Sequence, residues 1–414
     1  MSDDRAPITR RDVVDHLRLH DASPSSGPPR VGLEQESHTF CMASPKRHLH
    51  PDEVLGAVAA APPLSHGSTV TVEPGGQVEV VTVALEPWWS ALDALRVDGA
   101  AVREALAIAG IGVMGAGIDV FRAPARTLSK PRYDAMETYF EPWAPAGRLM
   151  MTGSASIQVN IDHGDADTMA RRWDLAHRIG PALAAAFACS PSATHRSARL
   201  AAWDALDPSR TRPALVSGDV GEDWANYALD ARLMLLHDDD DRCAAVSLPI
   251  TFGEWVESGI DGRRPTLADL AYHCTTLFPP VRPRGWLELR WLDSLPPGLA
   301  ETAVAAIVAV LVDDEAGDRA AHACADVATL WAEAARYGPA HPELAAAAVT
   351  ILRDAAEALD RSDAPSTYAE LVEDAAARWP ARGRCPADDL EERLRRGASL
   401  VDLVDPPREV ARWS

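Results

Sequence analysis

Apolar and polar residues alternate along several short stretches of the chain, which is the pattern of strands with one buried face. The clearest stretch is Ser-Ala-Ser-Ile-Gln-Val-Asn-Ile-Asp at residues 154–162, where every second residue is Ala, Ile or Val. Because successive strand side chains point to opposite faces, Gln158 and Asn160 share the face away from that core. The stretch predicts a strand with one apolar face and one face of hydroxyl, amide and carboxylate groups.

The same alternation places carboxylates on one side of other predicted strands. Gly-Leu-Glu-Gln-Glu at residues 32–36 and Trp-Leu-Glu-Leu-Arg at residues 286–290 each repeat a charged residue at i and i+2. Residues 69–82 predict a hairpin that turns at Pro-Gly-Gly, residues 74–76, with acids on both arms. The sequence therefore predicts an antiparallel sheet with an acidic face, built from Glu34, Glu36, Glu73, Glu79 and Glu288.

Helix-type periodicity separates these strands and dominates the last part of the chain. Helices are predicted over residues 88–109, 132–139 and 165–188, and Ala-rich helical segments follow from about residue 299. We therefore predict an α+β fold in three parts. They are an N-terminal helix and linker (1–29), a main domain that carries the acidic face (30–298), and a helical C-terminal region packed on it (299–414).

Composition and charge exclude several classes of protein. The formal charge of −21 over 414 residues argues against broad binding to nucleic acid or anionic membranes. The six cysteines are scattered without a C-x-x-C pair, so neither a zinc ribbon nor a disulfide framework is predicted. No signal-peptide core and no apolar run of about 20 residues is present. We expect a cytoplasmic protein with neither nucleic-acid nor membrane partners, and the sequence predicts no oligomeric state.

The acidic face itself suggests a metal site. For Glu34 and Glu36 alone, the alternative is an exposed edge strand with solvated acids. Acids repeated on several half-buried strands would repel one another unless cations neutralise them. Mg²⁺ in phosphoryl-transfer sites is held by a few carboxylates together with substrate phosphates and water. The pattern thus predicts an ATP-dependent enzyme.

No familiar nucleotide-binding loop accompanies the acids. Gly-Ile-Gly-Val-Met-Gly at residues 110–115 matches G-x-G-x-x-G, but it follows a predicted helix and leads into a strand, the reverse of the dinucleotide-binding order. Phosphates would then be held by metals and by basic side chains. The candidates, each also consistent with an ordinary solvated surface residue, are Lys130, Arg132, Arg199 and Arg210.

A series of motifs in a fixed order carries a family resemblance. It comprises G-L-E-Q-E (32–36), E-P-G-G-Q-V-E (73–79), K-P-R-Y-D-A-M (130–136), Q-V-N-I-D (158–162), Y-A-L-D (227–230), L-F-P-P-V-R (277–282) and L-E-L-R (287–290). Over about residues 31–295 the chain resembles the plant-type glutamate-cysteine ligase family. The E-P-G-G-Q-x-E hairpin is the most specific element of this resemblance.

The resemblance implies a glutamine-synthetase-like antiparallel sheet that forms a funnel for ATP, glutamate, cysteine and two or three Mg²⁺ ions. ATP would phosphorylate the glutamate γ-carboxylate, and the cysteine amine would then displace phosphate. The five acids of the face match metal ligands, and Gln158 and Asn160 match residues that line the site. Arg290 would face the transferred phosphoryl group, with Glu288 beside it. Lys130, Arg132, Arg199 and Arg210 would contact substrate or phosphate.

Two other functions remain open from the sequence. A related ligase could join the activated carboxylate to a different amine, because the acceptor pocket is poorly defined by sequence. An inactive ligase-like binding protein is the second. Chain length and an Ala-, Arg- and Asp-rich composition resemble the bacterial branch that supplies γ-glutamylcysteine for ergothioneine synthesis.

Overall fold

The predicted acidic strands belong to one antiparallel sheet. A computed structural model describes residues 6–21, 27–237 and 242–406. Within these residues a seven-stranded sheet and a separate two-stranded sheet are formed. The strands are β1 (Val31–Cys41), β2 (Thr69–Val72), β3 (Val78–Val81), β4 (Ile111–Met114), β5 (Ser156–Ile161), β6 (Leu235–His237), β7 (Cys243–Ala245), β8 (Val281–Pro283) and β9 (Leu287–Asp293).

Strand β1 lies at the centre of the large sheet. The strand order is β2-β3-β1-β5-β9-β8, and β4 pairs with the second half of β1. All these pairings are antiparallel, so directly opposed residues share a face of the sheet. On the core face, Leu33 of β1 opposes Val159 of β5, which in turn opposes Leu289 of β9. These three side chains are buried, as the alternating pattern predicts.

Helices surround the sheet and form the C-terminal part of the chain. They are α1 (Arg10–Asp21), α2 (Pro51–Ala59), α3 (Trp89–Ile108), α4 (Pro131–Phe140), α5 (Ala146–Thr152), α6 (Ala166–Ala186), α7 (Ala198–Asp204), α8 (Pro208–Thr211), α9 (Val220–Asp230), α10 (Phe252–Ser258), α11 (Leu267–Cys274), α12 (Leu299–Val312), α13 (Asp314–Ala323), α14 (Trp331–Tyr337), α15 (Pro342–Arg361), α16 (Ser366–Arg378), α17 (Pro386–Arg395) and α18 (Leu400–Leu403). Short 3₁₀ helices cover Glu141–Trp143, Gly338–Ala340 and Pro380–Arg382.

One continuous core joins the sheet to the C-terminal helices. It contains Leu33 and Val159 from the sheet, Ile8 from the N-terminal segment, and Ile307 and Ile351 from α12 and α15. The sheet face and α12 are both largely apolar, and burying them together removes that surface from water. The boundaries predicted at residues 29 and 298 stay predictions. Parts of the outer regions, residues 1–5, 22–26 and 407–414, lie outside the described residues.

Two glycines of the segment at residues 110–115 show where the sequence prediction and the structure agree and where they differ. Gly110 has φ of +73° and forms the turn between α3 and β4, as the predicted order of helix before strand requires. The strand expected over residues 113–121 ends early, at Met114. Beyond it, a Cβ on Gly115 would lie 2.2 Å from the Leu295 carbonyl oxygen, and the backbone leaves the sheet to pack against that segment. No helix among the described residues is long and apolar enough to cross a membrane.

Candidate active site

The carboxylates of the acidic face stand in register across neighbouring strands. Glu36 of β1 lies directly opposite Glu79 of β3, and Glu34 of β1 lies opposite Gln158 of β5. Asn160 of β5 opposes Glu288 of β9. Opposed side chains in an antiparallel pair lie about 4.5–5.5 Å apart at Cβ, so the polar face forms a continuous patch.

Burial and repulsion between neighbouring carboxylates raise the pKa values of four acids on this face. Burial, together with the neighbouring carboxylates, raises the pKa of Glu73 to about 8. The same two causes raise the pKa of Glu79 to about 7. The pKa values of Glu34 and Glu36 are also raised, with burial as the leading cause. The face therefore carries uncompensated negative charge whenever these acids are ionised.

Two amide side chains on β5 hold the acids in place. Gln158 accepts a hydrogen bond from Arg290 Nη1 at 2.6 Å and its Nε2 lies 3.5 Å from Glu36 Oε1. Asn160 donates to Glu34 Oε1 at 3.0 Å and accepts from the Trp286 indole at 2.8 Å. The two amides were predicted to line the site. Neither amide is among the residues that line the cavity described below, so that role stays a prediction. Each amide connects an acid of the face to a second group.

Two of the acids and two arginines line one cavity. The cavity has a volume of about 220 Å³, and its wall includes Glu36, Glu73, Arg199 and Arg290. Arg199 is 2% exposed and lies over the Trp203 ring, with its Cζ 4.7 Å from the ring centroid. The other lining residues are Pro74, Gln77, Arg132, Tyr133, Met136, Met150, Met151, Ser154, Ser156, Trp203 and Phe278. The cavity is thus lined by both carboxylate and guanidinium groups.

Glu288, which was predicted to bind a metal, is held by two arginines in the structure. Its carboxylate is 1% exposed and accepts hydrogen bonds from Arg282 Nε at 2.5 Å, Arg282 Nη2 at 3.0 Å and Arg290 Nη1 at 2.9 Å. Although burial acts the other way, the arginines lower the pKa of Glu288 to about 2. Both oxygens accept from guanidinium groups, so Glu288 positions Arg290. Its assignment as a metal ligand stays a prediction.

Arg210 also differs from the prediction that it contacts substrate or phosphate. The side chain is 0% exposed and pairs with Asp207 at 3.2 Å. It also donates to the Tyr139 hydroxyl and to the carbonyl oxygens of Thr276 and Arg232. Each guanidinium nitrogen has a protein acceptor, so Arg210 is a structural cross-link between α8, α4 and the segment before β8.

Replacing Arg210 with alanine should destabilise the protein by about 3–5 kcal/mol, because Asp207, which is 1% exposed, would lose its cation in a buried site. Thermal and denaturant unfolding would measure the loss. The matched control is Arg212→Ala, which removes an exposed neighbouring arginine and should leave the free energy of unfolding nearly unchanged. Equal stability of the Arg210 variant and the wild type would contradict the structural role.

Of the two remaining residues predicted to contact phosphate, Arg132 lines the cavity and Lys130 does not. Arg132 lines the cavity and donates to the Thr275 hydroxyl at 2.9 Å. Lys130 is exposed at the start of α4, with its Nζ 5.9 Å from the Tyr133 ring centroid, and it is absent from the cavity lining. The geometry therefore keeps Arg132 as a substrate candidate and places Lys130 at the periphery.

The hairpin between β2 and β3 is fixed by a close backbone approach. A Cβ on Gly75 would lie 2.0 Å from the Thr152 carbonyl oxygen and 2.7 Å from Gln77 Oε1. Thr127 N donates to the Pro74 carbonyl at 2.7 Å, which ties the turn to a second segment. The turn therefore needs glycine at this position so that Glu73 can reach the cavity.

Gly75→Ala should lower the free energy of unfolding by about 1–3 kcal/mol, since the added methyl group forces the turn away from Thr152. Any activity that depends on Glu73 should fall with it, because Glu73 moves. Gly56→Ala is the control, since no atom lies within 4 Å of a Cβ there and the residue is inside α2. That substitution should be neutral or stabilising by up to about 1 kcal/mol. An unchanged melting temperature for Gly75→Ala would contradict the close approach.

The chemistry of the donors fits Mg²⁺ although the protein alone does not form a complete ligand set. Among the described residues, no three His, Cys, Asp or Glu side chains stand close enough to hold a metal ion. Mg²⁺ is usually bound by one or two carboxylates and completes its octahedron with water and substrate phosphates. Oxygen donors with uncompensated negative charge meet that requirement at Glu34, Glu36, Glu73 and Glu79.

Comparison with known proteins agrees with this arrangement. Residues 30–405 match the model of glutamate-cysteine ligase family 2. The chain belongs to glutamate-cysteine ligase family 2. Within that family it is 42% identical over 376 residues to glutamate–cysteine ligase EgtA of Mycolicibacterium smegmatis, covering 88% of this chain and 87% of the relative. It is 26% identical to the chloroplastic glutamate–cysteine ligase of Medicago truncatula, covering 70% of this chain and 62% of that protein.

The fold is shared with a solved structure of low sequence similarity. A bifunctional glutathione synthetase from Pasteurella multocida superimposes with a TM-score of 0.50 at 12% identity, covering 95% of this chain and 52% of that one. This similarity concerns the fold alone. The predicted α+β, glutamine-synthetase-like architecture is confirmed.

Three residues of this family member's site were not assigned a role from the sequence. Arg282 lies directly opposite Glu288 in the β8–β9 pair, Thr71 donates to Glu79 Oε2 at 2.5 Å, and Trp203 supports the Arg199 guanidinium. Trp203 follows Arg199 by four residues on α7, a helical spacing visible in the sequence. The roles of Arg282 and Thr71 depend on strand register, which the sequence pattern leaves open.

Proposed function

We propose that the chain joins the γ-carboxylate of L-glutamate to the amine of L-cysteine at the expense of ATP, giving γ-glutamylcysteine, ADP and phosphate. The observation that carries the proposal is the single cavity that Glu36, Glu73, Arg199 and Arg290 line together. This arrangement suits a reaction between a phosphate group and a carboxylate, both of which are anions. Membership of the family and the names of its relatives support the same reaction.

The proposed chemistry has two steps. A γ-carboxylate oxygen of glutamate attacks the γ-phosphorus of ATP, the bond to the bridging oxygen breaks, and ADP leaves. The unprotonated amine of cysteine then attacks the acyl carbon of γ-glutamyl phosphate, the acyl–oxygen bond breaks, and phosphate leaves as the new amide loses its proton. Negative charge develops on the transferred phosphoryl group in the first step and on the departing phosphate in the second.

Arg290 is placed to stabilise this charge. Its Nη1 is held by Gln158 Oε1 at 2.6 Å and Glu288 Oε1 at 2.9 Å, while its Nε has no protein acceptor among the described residues. An unpaired donor costs about 1–3 kcal/mol when buried, so a substrate acceptor would satisfy it. A guanidinium fixed before substrate arrives needs little reorganisation during the reaction.

We further propose that Glu34, Glu36, Glu73 and Glu79 hold the Mg²⁺ ions, two or three in number, that accompany ATP. Bound Mg²⁺ would polarise the phosphoryl oxygens and reduce the repulsion between the nucleotide and the glutamate carboxylate. Gln158 and Asn160 orient Glu36 and Glu34, so they act on the metal site through these acids.

Millimolar Mg²⁺ should raise the melting temperature of the metal-free protein, because a ligand that binds only the folded state stabilises it by mass action. Mg-ATP should add to the shift, and EDTA should reverse it. In a variant with Glu36 and Glu79 both changed to glutamine, the Mg²⁺ shift should disappear. A shift of equal size in that variant would place the metal elsewhere.

An assay across amines tests the identity of the acceptor. With glutamate and Mg-ATP fixed, ADP release and the ligated product are measured for L-cysteine, L-serine, L-alanine and 2-aminobutyrate. The proposal expects the highest kcat/KM with cysteine. A higher value with another amine would identify a related carboxylate-amine ligase, and Mg-ATP binding without ADP release under any condition would identify an inactive binding protein.

We also propose that the product supplies ergothioneine or another low-molecular-weight thiol, and that the enzyme works in the cytoplasm. The similarity to the EgtA proteins and the absence of a recognised disulfide framework support these two statements. Loss of the corresponding gene should lower cellular γ-glutamylcysteine and ergothioneine together. A fall in neither would separate the enzyme from that pathway.

A further inference from the structure

A buried carboxylate is hydrogen-bonded to residues close to Arg199, one of the arginines that line the cavity. Asp293, the last residue of β9, is 2% exposed. It accepts hydrogen bonds from Cys189 N at 2.8 Å, Ser190 Oγ at 2.6 Å and Ser197 Oγ at 2.9 Å. A carboxylate that is buried without a direct ion pair is costly, and three donors of this kind offset only part of that cost.

The two serines connect Asp293 to the helix that carries Arg199. Ser197 is the N-cap of α7, and its hydroxyl oxygen accepts from Leu200 N at 3.1 Å. Ser190 Oγ accepts from the backbone N of Arg199 at 3.3 Å while donating to Asp293. The first turn of α7 is therefore fixed through two hydroxyl groups that both donate to the same carboxylate.

The guanidinium of Arg199 has few contacts of its own besides the Trp203 ring. Its Nη2 donates to the Arg290 carbonyl oxygen at 2.8 Å, and its Nε and Nη1 have no partner among the described residues. No ion pair within the described residues joins Arg199 to Asp293 or to Glu36, although both carboxylates act on it through space. The side chain lines the 220 Å³ cavity and an adjoining one of about 110 Å³.

We propose that Asp293 is a positioning residue, which holds Arg199 in place through Ser190 and Ser197 so that its guanidinium can contact the anionic substrates. This inference rests on the proposed function, because Arg199 matters only if the cavity binds anions. Asparagine has the shape of aspartate but cannot accept from all three donors, since its NH₂ group would face one of them. It also removes the negative charge beside a buried cation.

Close packing around the Asp293 carboxylate is a second observation that supports the inference. A Cβ on Gly117 would lie 2.5 Å from Asp293 Cγ, so the chain approaches the carboxylate as closely as a glycine permits. The segment before α7 is held from its other side as well, because Arg196 N and Ser197 N both donate to the Ala335 carbonyl at 2.9 Å. The carboxylate is thus enclosed by backbone and hydroxyl donors and has no room to move.

The test is a double-mutant cycle that measures kcat/KM for glutamate and the calorimetric affinity for glutamate in the full-length protein. In the wild-type background, Asp293→Asn should lower kcat/KM by about 10-fold to 100-fold, the scale of a misplaced contact. In the Arg199→Met background the same change should cost less than about 2-fold, because its target is gone. Ser190→Ala should show a smaller loss with the same dependence on Arg199.

Asp223→Asn is the matched control, because Asp223 is buried and accepts two hydrogen bonds, from Trp173 Nε1 and Ser217 N, on a different helix. Its effect should be the same with and without Arg199. If Asp293→Asn lowers kcat/KM equally in both backgrounds, Asp293 has only a structural role and the inference is overturned. If Asp293→Asn fails to fold, the same comparison is made with Ser190→Ala. A wild-type protein that forms no γ-glutamylcysteine would instead contradict the proposed function. The glutamate affinities of the four proteins in the cycle would then still show whether the effect of Asp293→Asn depends on Arg199.

Discussion

Glu79→Gln should abolish most ligase turnover, by at least about 100-fold, while the protein remains folded. Glu79 is 9% exposed and lies directly opposite Glu36, where the proposed Mg²⁺ would be held. Loss of one charged ligand removes part of a metal interaction worth several kcal/mol to the transition state. Glutamine keeps the size of the side chain and can still accept from Thr71 Oγ1, so the change is mainly one of charge. Initial rates at saturating Mg²⁺ and far-ultraviolet circular dichroism measure the two halves of this prediction.

The same substitution should stabilise the metal-free protein in a pH-dependent manner. The pKa of Glu79 is raised from 4.5 to about 7, so the folded state binds this proton more tightly than the unfolded state. That contribution to stability is complete below pH 4.5 and is lost as the pH rises through 7. In EDTA, the gain in melting temperature should therefore appear above pH 7 and vanish near pH 4.5.

Glu301→Gln provides the control for both effects. Glu301 is also buried with a raised pKa, but it lies on α12 and accepts from Gly298 N at 2.5 Å, outside the cavity lining. Its replacement should leave kcat nearly unchanged. Near-wild-type activity of Glu79→Gln at saturating Mg²⁺, with the fold intact, would remove Glu79 from the proposed metal site.

Arg290→Lys should lower kcat by roughly 10-fold or more and leave the KM for cysteine nearly unchanged. The guanidinium spans Gln158 and Glu288 while its Nε remains without a protein acceptor. A lysine ammonium keeps the charge but cannot hold both partners and also present a second donor in a fixed plane. The effect should therefore appear in the chemical step, where charge develops on the phosphoryl group.

Arg284→Lys is the matched control, since Arg284 is 49% exposed and only 4.0 Å from the same Glu288 carboxylate. Its kinetic constants should remain close to those of the wild type. If Arg290→Lys mainly raises the KM for cysteine and preserves kcat, Arg290 belongs to the acceptor pocket. The assignment of Arg290 to the transferred phosphoryl group would then be wrong.

The acidic face could be predicted from the sequence because strand alternation has a fixed period. Once residues 154–162 are identified as a strand, Gln158 and Asn160 must share a face, and the same holds for Glu34 and Glu36 on β1. The hairpin of β2 and β3 follows from its Pro-Gly-Gly turn. The alternation does not give the pairing partners, and only the order β3-β1-β5-β9 brings Glu79 opposite Glu36 and Gln158 opposite Glu34.

The contacts that the sequence did not predict are those of charged residues whose partners are distant in sequence. Glu288 and Arg290 look alike at i and i+2, but the pairing of β8 with β9 brings Arg282 onto Glu288 and neutralises it. Arg210 is buried by contacts with residues up to 71 positions away, which no local pattern records. A charged side chain can serve a substrate or a buried partner, and tertiary structure decides between them.

Transfer of oxygen from glutamate to phosphate tests the central claim most directly. Glutamate labelled with ¹⁸O in its γ-carboxylate is incubated with ATP, Mg²⁺, cysteine and the protein, and the inorganic phosphate is analysed by mass spectrometry. If γ-glutamyl phosphate forms, each phosphate released with γ-glutamylcysteine carries one ¹⁸O atom, because the attacking carboxylate oxygen leaves with phosphorus. Phosphate without ¹⁸O, or ADP release that does not depend on glutamate, would contradict the proposed reaction.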